Sequence, residues 1–137
     1  MIFITSTDYF GPWLDHPDAT HERKSAAVAL IEKVNRCLAD AEAHGVELEM
    51  NPHTATLISG VTYGGFRPQS CDQGAPHSSH KEGRGVDIYD RNGQLDRFLT
   101  DARLASYGLY RESPAATLGW THLTDRSPSS GARTFQP

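Results

Sequence analysis

The stretch Ser78-Ser79-His80-Lys81-Glu82-Gly83-Arg84-Gly85-Val86-Asp87-Ile88 gathers the residue types that hold metal ions. His80 reads as a loop residue, and Asp87 falls inside the compact strand Val86-Asp87-Ile88-Tyr89. Side chains alternate along a strand, so Val86 and Ile88 can enter a core while Asp87 faces the other way. A carboxylate between two buried aliphatics is costly unless something holds it, and a cation on the open face would do so. Gly83 and Gly85 let the chain fold back tightly enough for the loop histidine to reach the strand carboxylate. Two ligands rarely hold a metal. The natural third is His122, a polar residue in the strand-like run Gly119-Trp120-Thr121-His122-Leu123-Thr124. Two neutral imidazoles and one carboxylate leave one position of a tetrahedral Zn2+ free for water, the open arrangement of catalytic rather than structural zinc. Zinc in such a site lowers the pKa of its water toward about 7 and polarises a carbonyl under attack.

The motif Ser78-x-His80-x-x-Gly83-x-x-x-Asp87 resembles the Ser-x-His-x-x-Gly-x-Ala-x-Asp signature of zinc D-Ala-D-Ala carboxypeptidases and phage endolysin L-alanyl-D-glutamate peptidases, with Gly85 where that family commonly has Ala. Trp120-x-His122 is similar to the family's second metal motif, and Gly65-Phe66-Arg67-Pro68 to its Ser-Gly-Tyr-Arg-Pro element. The resemblance spans roughly residues 20–126. It implies the hedgehog/DD-peptidase fold, a zinc site made by His80, Asp87 and His122, and hydrolysis of peptide bonds in peptidoglycan stem peptides, as a D,D-carboxypeptidase or an L-alanyl-D-glutamate-type endopeptidase. By the same resemblance Arg67 binds a substrate carboxylate or the developing oxyanion, a task suited to its planar, permanently charged fork. Ser78 steadies the ligand loop through its hydroxyl and belongs to the substrate-binding side.

This chain departs from the family just before the last ligand, where an acid or histidine usually serves as general base. Positions 119 and 120 are Gly and Trp, and Thr124 stands where many members carry an aspartate. Glu112, in Tyr110-Arg111-Glu112-Ser113-Pro114, is the acid best placed to take over as base, ahead of Asp125 and Glu82. The alternative reading is a catalytically inactive zinc-containing binding or structural module of the same fold. Cys71 is a poor fourth ligand, because a soft thiolate shifts a site toward the structural type. His77 reads as a solvated loop residue, and His16, His21, His44 and His53 as surface residues, with His44 suited to a helix C-terminus. Trp13, Tyr63 and Trp120 can line a groove or pack in the core.

The elements that must carry these residues follow from the apolar pattern. Ala27, Leu30, Ile31, Val34, Leu38 and Ala41 recur at three- and four-residue spacing, predicting a helix from about Ala19 to His44. Asp18 or Thr20 can cap it, and Gly45 can end it in the left-handed conformation. Cys37 lies beside the stripe as a core thiol. Val46–Met50 alternates like a half-buried strand, and Thr56–Ser59 reads as another. The strand at Val86–Tyr89 closes on the Arg91-Asn92-Gly93 turn. A shorter helix then places Leu95, Phe98, Leu99 and Ala102 on one face, and Leu109-Tyr110 and Trp120–Leu123 are further strands. From about residue 127 a Pro/Ser/Gly-rich tail is expected as irregular coil. The expected architecture is α+β: a small antiparallel sheet bearing the zinc site on one face, with helices packed on the other.

Length and composition bound the remaining possibilities. With 137 residues the chain is one domain, 1–137, able to bury roughly two-thirds of its unfolded surface without a disulfide. A net charge of −4 argues against a nucleic-acid-binding face, which would be basic. No apolar stretch approaches a membrane span, so no membrane insertion is expected. The start, Met1-Ile2-Phe3-Ile4-Thr5-Ser6-Thr7-Asp8, has no basic n-region, so synthesis in a cytoplasm without a signal peptide is the expectation. Taken with the resemblance, this suggests a phage or prophage origin, a monomer whose partner is a peptidoglycan peptide, and action on the cell wall after holin-dependent release.

Overall fold

A computed structural model describes residues 3–137, so Met1 and Ile2 of the N-terminal start lie outside the described residues. The long helix α2 spans His21–Ala43. Its N-terminus is fixed by Thr20, whose hydroxyl accepts from the Arg23 amide, satisfying one of the donors a helix start leaves open. Its end is marked by Gly45 at φ +89°, a conformation that costs glycine little. All six stripe residues named above are buried, and Cys37 is fully buried beside them. A short helix α1, Ser6–Phe10, closed by a Thr5/Asp8 capping box, sets Tyr9 and Phe10 into the same core.

The sheet has the order β1-β3-β2-β4. β1 (Gly85–Tyr89) pairs antiparallel with β3 (Trp120–Thr124), which pairs antiparallel with β2 (Tyr110–Glu112). Val86, Ile88 and Leu123 join the α2 stripe in one buried cluster, so one sheet face meets the helices while the alternate residues face away. The architecture is α+β.

Several sequence expectations are corrected. The tail is not wholly irregular: β4 (Thr134–Phe135) pairs with β2 in parallel, which makes the sheet mixed rather than antiparallel. The backbone amides of Arg111 and Ser113 donate to the carbonyls of Arg133 and Phe135, and Arg133 lies over the Tyr110 ring. Val46–Met50 forms no strand, because the Glu47 amide donates to the Gln94 side chain rather than to a ladder. Its alternation reports that Val46 and Leu48 pack on the core, not that the backbone pairs. Thr56–Ser59 is reduced to isolated bridges, one of them Ile58 against Ile88 on the free edge of β1. The shorter helix is two, α3 (Gln94–Phe98) and α4 (Asp101–Tyr107). Thr100 competes as an N-cap, accepting from the Arg103 amide, so the chain breaks at Leu99 and starts again. That shift exposes Ala102 and buries Leu104 and Tyr107 instead.

The two cysteines differ sharply in surroundings. Burial, reinforced by the nearby Asp40 carboxylate, pushes the Cys37 thiol up to about 12; Cys71 is partly exposed. A thiol reagent at pH 8 should therefore titrate one cysteine in the native protein and a second only after denaturation. Above the ordinary thiol range the unfolded chain ionises Cys37 while the folded chain keeps it protonated. Stability should then fall as pH rises from the ordinary thiol value toward about 12, measurable as a falling urea midpoint.

Candidate metal centre

β1 and β3 pair in a register that sets Asp87 directly across from His122. Cross-strand neighbours share a sheet face, so both side chains point away from the core. His80 comes from a 3₁₀ turn, Ser79–Glu82, that runs into β1. Ser78 caps this turn, its hydroxyl accepting from the His80 amide at 3.3 Å, and Gly83 closes it at φ +73°. One ligand atom from each of His80, Asp87 and His122 lies within 4.8 Å of the other two. His80 Nε2 is 3.3 Å and His122 Nδ1 2.9 Å from the same carboxylate oxygen, Asp87 Oδ1. All three side chains are largely buried. Such a group could hold a metal ion.

Hydrogen bonding around the triad bears on whether a cation fits. His80 Nδ1 is 2.8 Å from the Gly65 carbonyl, which can only accept, so Nδ1 carries the proton. In the neutral ring Nε2 then presents a lone pair to Asp87 Oδ1, two acceptors facing each other. A cation between them, or a second proton on the ring, removes that conflict. A carbonyl behind one nitrogen with the other aimed at an acidic site is the support that metal-ligating histidines commonly have. His122 is backed similarly, with Nε2 3.4 Å from Ser79 Oγ while Nδ1 faces Asp87. Burial would raise the Asp87 carboxyl, but charge and hydrogen bonds from His80 and His122 outweigh it and hold the group well below the usual carboxylate range. The donor set, two nitrogens and one carboxylate oxygen, suits a borderline divalent ion.

Glycine makes this compression possible. A Cβ on Gly65 would lie 2.0 Å from the Tyr9 carbonyl oxygen, and one on Gly85 would lie 2.3 Å from Ser79 Oγ and 3.1 Å from His122 Cε1. Ser79 thus occupies the space a methyl at position 85 would need. The Tyr9 hydroxyl also donates to the Gly85 carbonyl at 2.9 Å, tying α1 to the start of β1.

The remaining sequence candidates fall at different distances from this centre. Arg67 lies beside it, Nη2 3.4 Å from Asp87 Oδ2, with its Nε–H donated to the Tyr63 carbonyl at 2.8 Å. The β2–β3 register pairs Arg111 with Leu123, and one further step along it sets Glu112 opposite His122. Glu112, Arg67, Ser78, Trp120, Phe135 and the triad line one cavity of about 460 Å³. Asp125 is elsewhere engaged, buried between Arg84 at 2.9 Å and Lys33 at 3.0 Å, and Glu82 pairs with Arg126 at 2.8 Å. The Cys71 thiol takes the Gln73 amide and stands outside the donor group. His77 is exposed at the cavity edge, and His44 caps α2 with Nδ1 on the Asp40 carbonyl. Trp13 stacks on Tyr63 and packs, partly buried, against the core.

Sequence reading missed Ser79, the Gly65 carbonyl and Phe135. Only Ser79 left a trace, as a small residue beside a ligand opposite a glycine.

If Ser79 holds His122 and the triad binds a divalent cation, then Gly85→Ala, which drives a methyl into that hydroxyl, should weaken that binding by about 10- to 100-fold, the usual cost of losing a ligand's support. Ser79→Ala should fall in the same direction. Competition against a chromophoric chelator measures both, and wild-type affinity in the two variants would remove Ser79 from the site. No helix among the described residues is long and apolar enough to cross a membrane. Compared with models of known families, with curated proteins and with solved structures, the chain finds no match.

Proposed function

We propose that the chain is a zinc metallopeptidase that hydrolyses peptide bonds in peptidoglycan stem peptides, with the hedgehog/DD-peptidase fold that its motifs resemble. The observation that carries this reading is the row Asp87, His122 and Glu112 across three adjacent strands, completed by His80 from the turn and open to a cavity of about 460 Å³. A structural zinc site is closed by four protein ligands, whereas three donors facing a cavity leave a position for water or substrate. Bound there, zinc would acidify a water molecule and polarise the scissile carbonyl.

The chain's own groups supply the rest. Glu112 shares the donors' face and the cavity, and takes the proton from the attacking water before passing it to the leaving nitrogen. This supports Glu112 as the replacement for the acid missing at positions 119 and 120. Arg67 stabilises the oxyanion with the guanidinium it holds beside Asp87. Ser78 keeps the ligand turn in shape. The location consistent with such a substrate is the cell wall, reached after release by other factors.

Treatment with a chelator should abolish release of fragments from purified muropeptides, and added Zn2+ should restore it. Glu112→Gln should lower kcat by about 10²- to 10⁴-fold, the usual worth of general acid–base help, with bound zinc unchanged. Full zinc occupancy without turnover in the unmodified protein would favour the alternative, an inactive zinc-containing module. Turnover unaffected by Glu112→Gln would leave the metal site standing and remove Glu112 as base.

A further inference from the structure

The sheet register that sets Asp87 across from His122 continues past the metal centre. Glu112 falls opposite His122, one step beyond the Arg111–Leu123 pair, and Phe135 pairs with Glu112 across β2 and β4. Asp87, His122, Glu112 and Phe135 thus form one row across four strands, on the sheet face that carries the donors. Neighbouring strands lie about 4.8 Å apart, so rings standing straight off β3 and β4 would be about 10 Å from each other. The His122 and Phe135 ring centroids are 6.4 Å apart, with the rings perpendicular. The Phe135 ring therefore leans inward across β2, toward the donors and into the wall of their cavity.

Holding the tail in place does not require this ring. Arg133 lies over Tyr110 and gives Nη1 to the Leu109 carbonyl at 3.0 Å. The Thr134 hydroxyl donates to Asp101 at 2.8 Å and accepts from Arg111 Nε at 3.1 Å. The carbonyls of Arg133 and Phe135 accept from the Arg111 and Ser113 amides at 2.8 and 2.7 Å. The Phe135 side chain is the part of β4 left over for the site. His122, meanwhile, meets Asp87 at Nδ1 and Ser79 at Nε2, with the His80 ring 5.0 Å away. These three contacts come from β1 or from the turn that runs into it. Phe135 supplies the contact from the opposite flank. Perpendicular aromatic rings at this separation attract each other beyond the area they bury.

We propose that Phe135 is a positioning residue of the metal centre, its ring fixing the His122 imidazole from the β4 side so that Nδ1 stays aimed at the ion. This rests on the metal-binding part of the reading above and not on the substrate. It makes a two-residue strand part of the metal site, and it carries a reciprocal consequence. Whatever β4 adds to metal affinity, the metal returns as stability of β4.

Two measurements on the full chain test this, neither of which needs turnover. Competition against a chromophoric chelator should show Zn2+ binding weakened by about 3- to 10-fold in Phe135→Ala. Phe135→Leu, which keeps apolar bulk without a ring, should fall with it, and Phe135→Tyr should keep the wild-type affinity. The visible absorption of Co2+ bound in place of Zn2+ reports ligand geometry, and should change in Phe135→Ala and Phe135→Leu but not in Phe135→Tyr. The second measurement is hydrogen exchange at the Arg111 and Ser113 amides, which join β2 to β4. Added Zn2+ should slow it more in the wild type than in Phe135→Ala, where the same backbone bonds remain. General stabilisation by the metal would slow both proteins alike, and that outcome would overturn the coupling. Wild-type affinity and an unchanged Co2+ spectrum in Phe135→Ala would overturn the role of Phe135 and leave the metal centre standing. Absence of Zn2+ binding by the wild type would overturn both.

Discussion

The Asp87 carboxylate is the constraint around which this molecule is arranged. It lies on a strand whose neighbours, Val86 and Ile88, are fully buried, so it cannot leave the sheet without pulling the core with it. A charge fixed in this way must be compensated where it stands. Compensation comes from three separate segments, the turn bearing His80, the strand bearing His122 and the loop bearing Arg67. Each has to approach within a few ångströms of β1, and much of the fold can be read as the means of that approach. Gly64 and Gly65 run so close to Ser59 and Tyr9 that no side chain would fit, and Gly85 yields its space to Ser79. The Gly64 carbonyl accepts from the Asp87 amide itself, while the Asp87 carbonyl accepts from Ser59. The strand residue at the centre of the site is thus held on its backbone as well as its side chain.

Close approach alone does not mark a metal site, because an ion pair of histidine and aspartate is a common structural device. What distinguishes this cluster is the direction of the proton on His80. With Nδ1 given to a carbonyl, the inward nitrogen is an acceptor in the neutral ring, and an acceptor aimed at a carboxylate demands something positive between them. The same geometry leaves the cavity side of the group open.

Much of this was legible in the residues, and the exceptions share a cause. His80, Asp87 and His122 could be grouped because strand alternation and glycine placement are local properties, and the α2 stripe and its Thr20 cap are local for the same reason. Glu112 was harder. Its position depends on which strand lies beside β3, and the Arg111–Leu123 register that sets it opposite His122 is a property of the assembled sheet. The tail was misread because a two-residue strand has no period to detect, and its partner β2 is equally short. Val46–Met50 misled for the opposite reason: alternation measures burial, and a segment can be half-buried without a partner for its amides. The α3–α4 break turned on Thr100, where a side chain able to cap a helix outcompeted continuation of the one before it.

On the proposed peptidase reading, the placement of Glu112 also bears on how the acid usual before His122 could be dispensed with. In strand β3, position 120 shares His122's face, and here it is Trp120, which forms part of the cavity wall. An acid there would line the same cavity as Arg67 and Asp87. Moving the acid to β2 puts it on the opposite side of His122 from Asp87, since β3 lies between β1 and β2. On the proposed reading the negative base and the negative ligand are then separated by an imidazole. If Glu112 is the base, that relocation would give the two carboxylates separate places around His122 while leaving position 120 to Trp120 on the cavity wall.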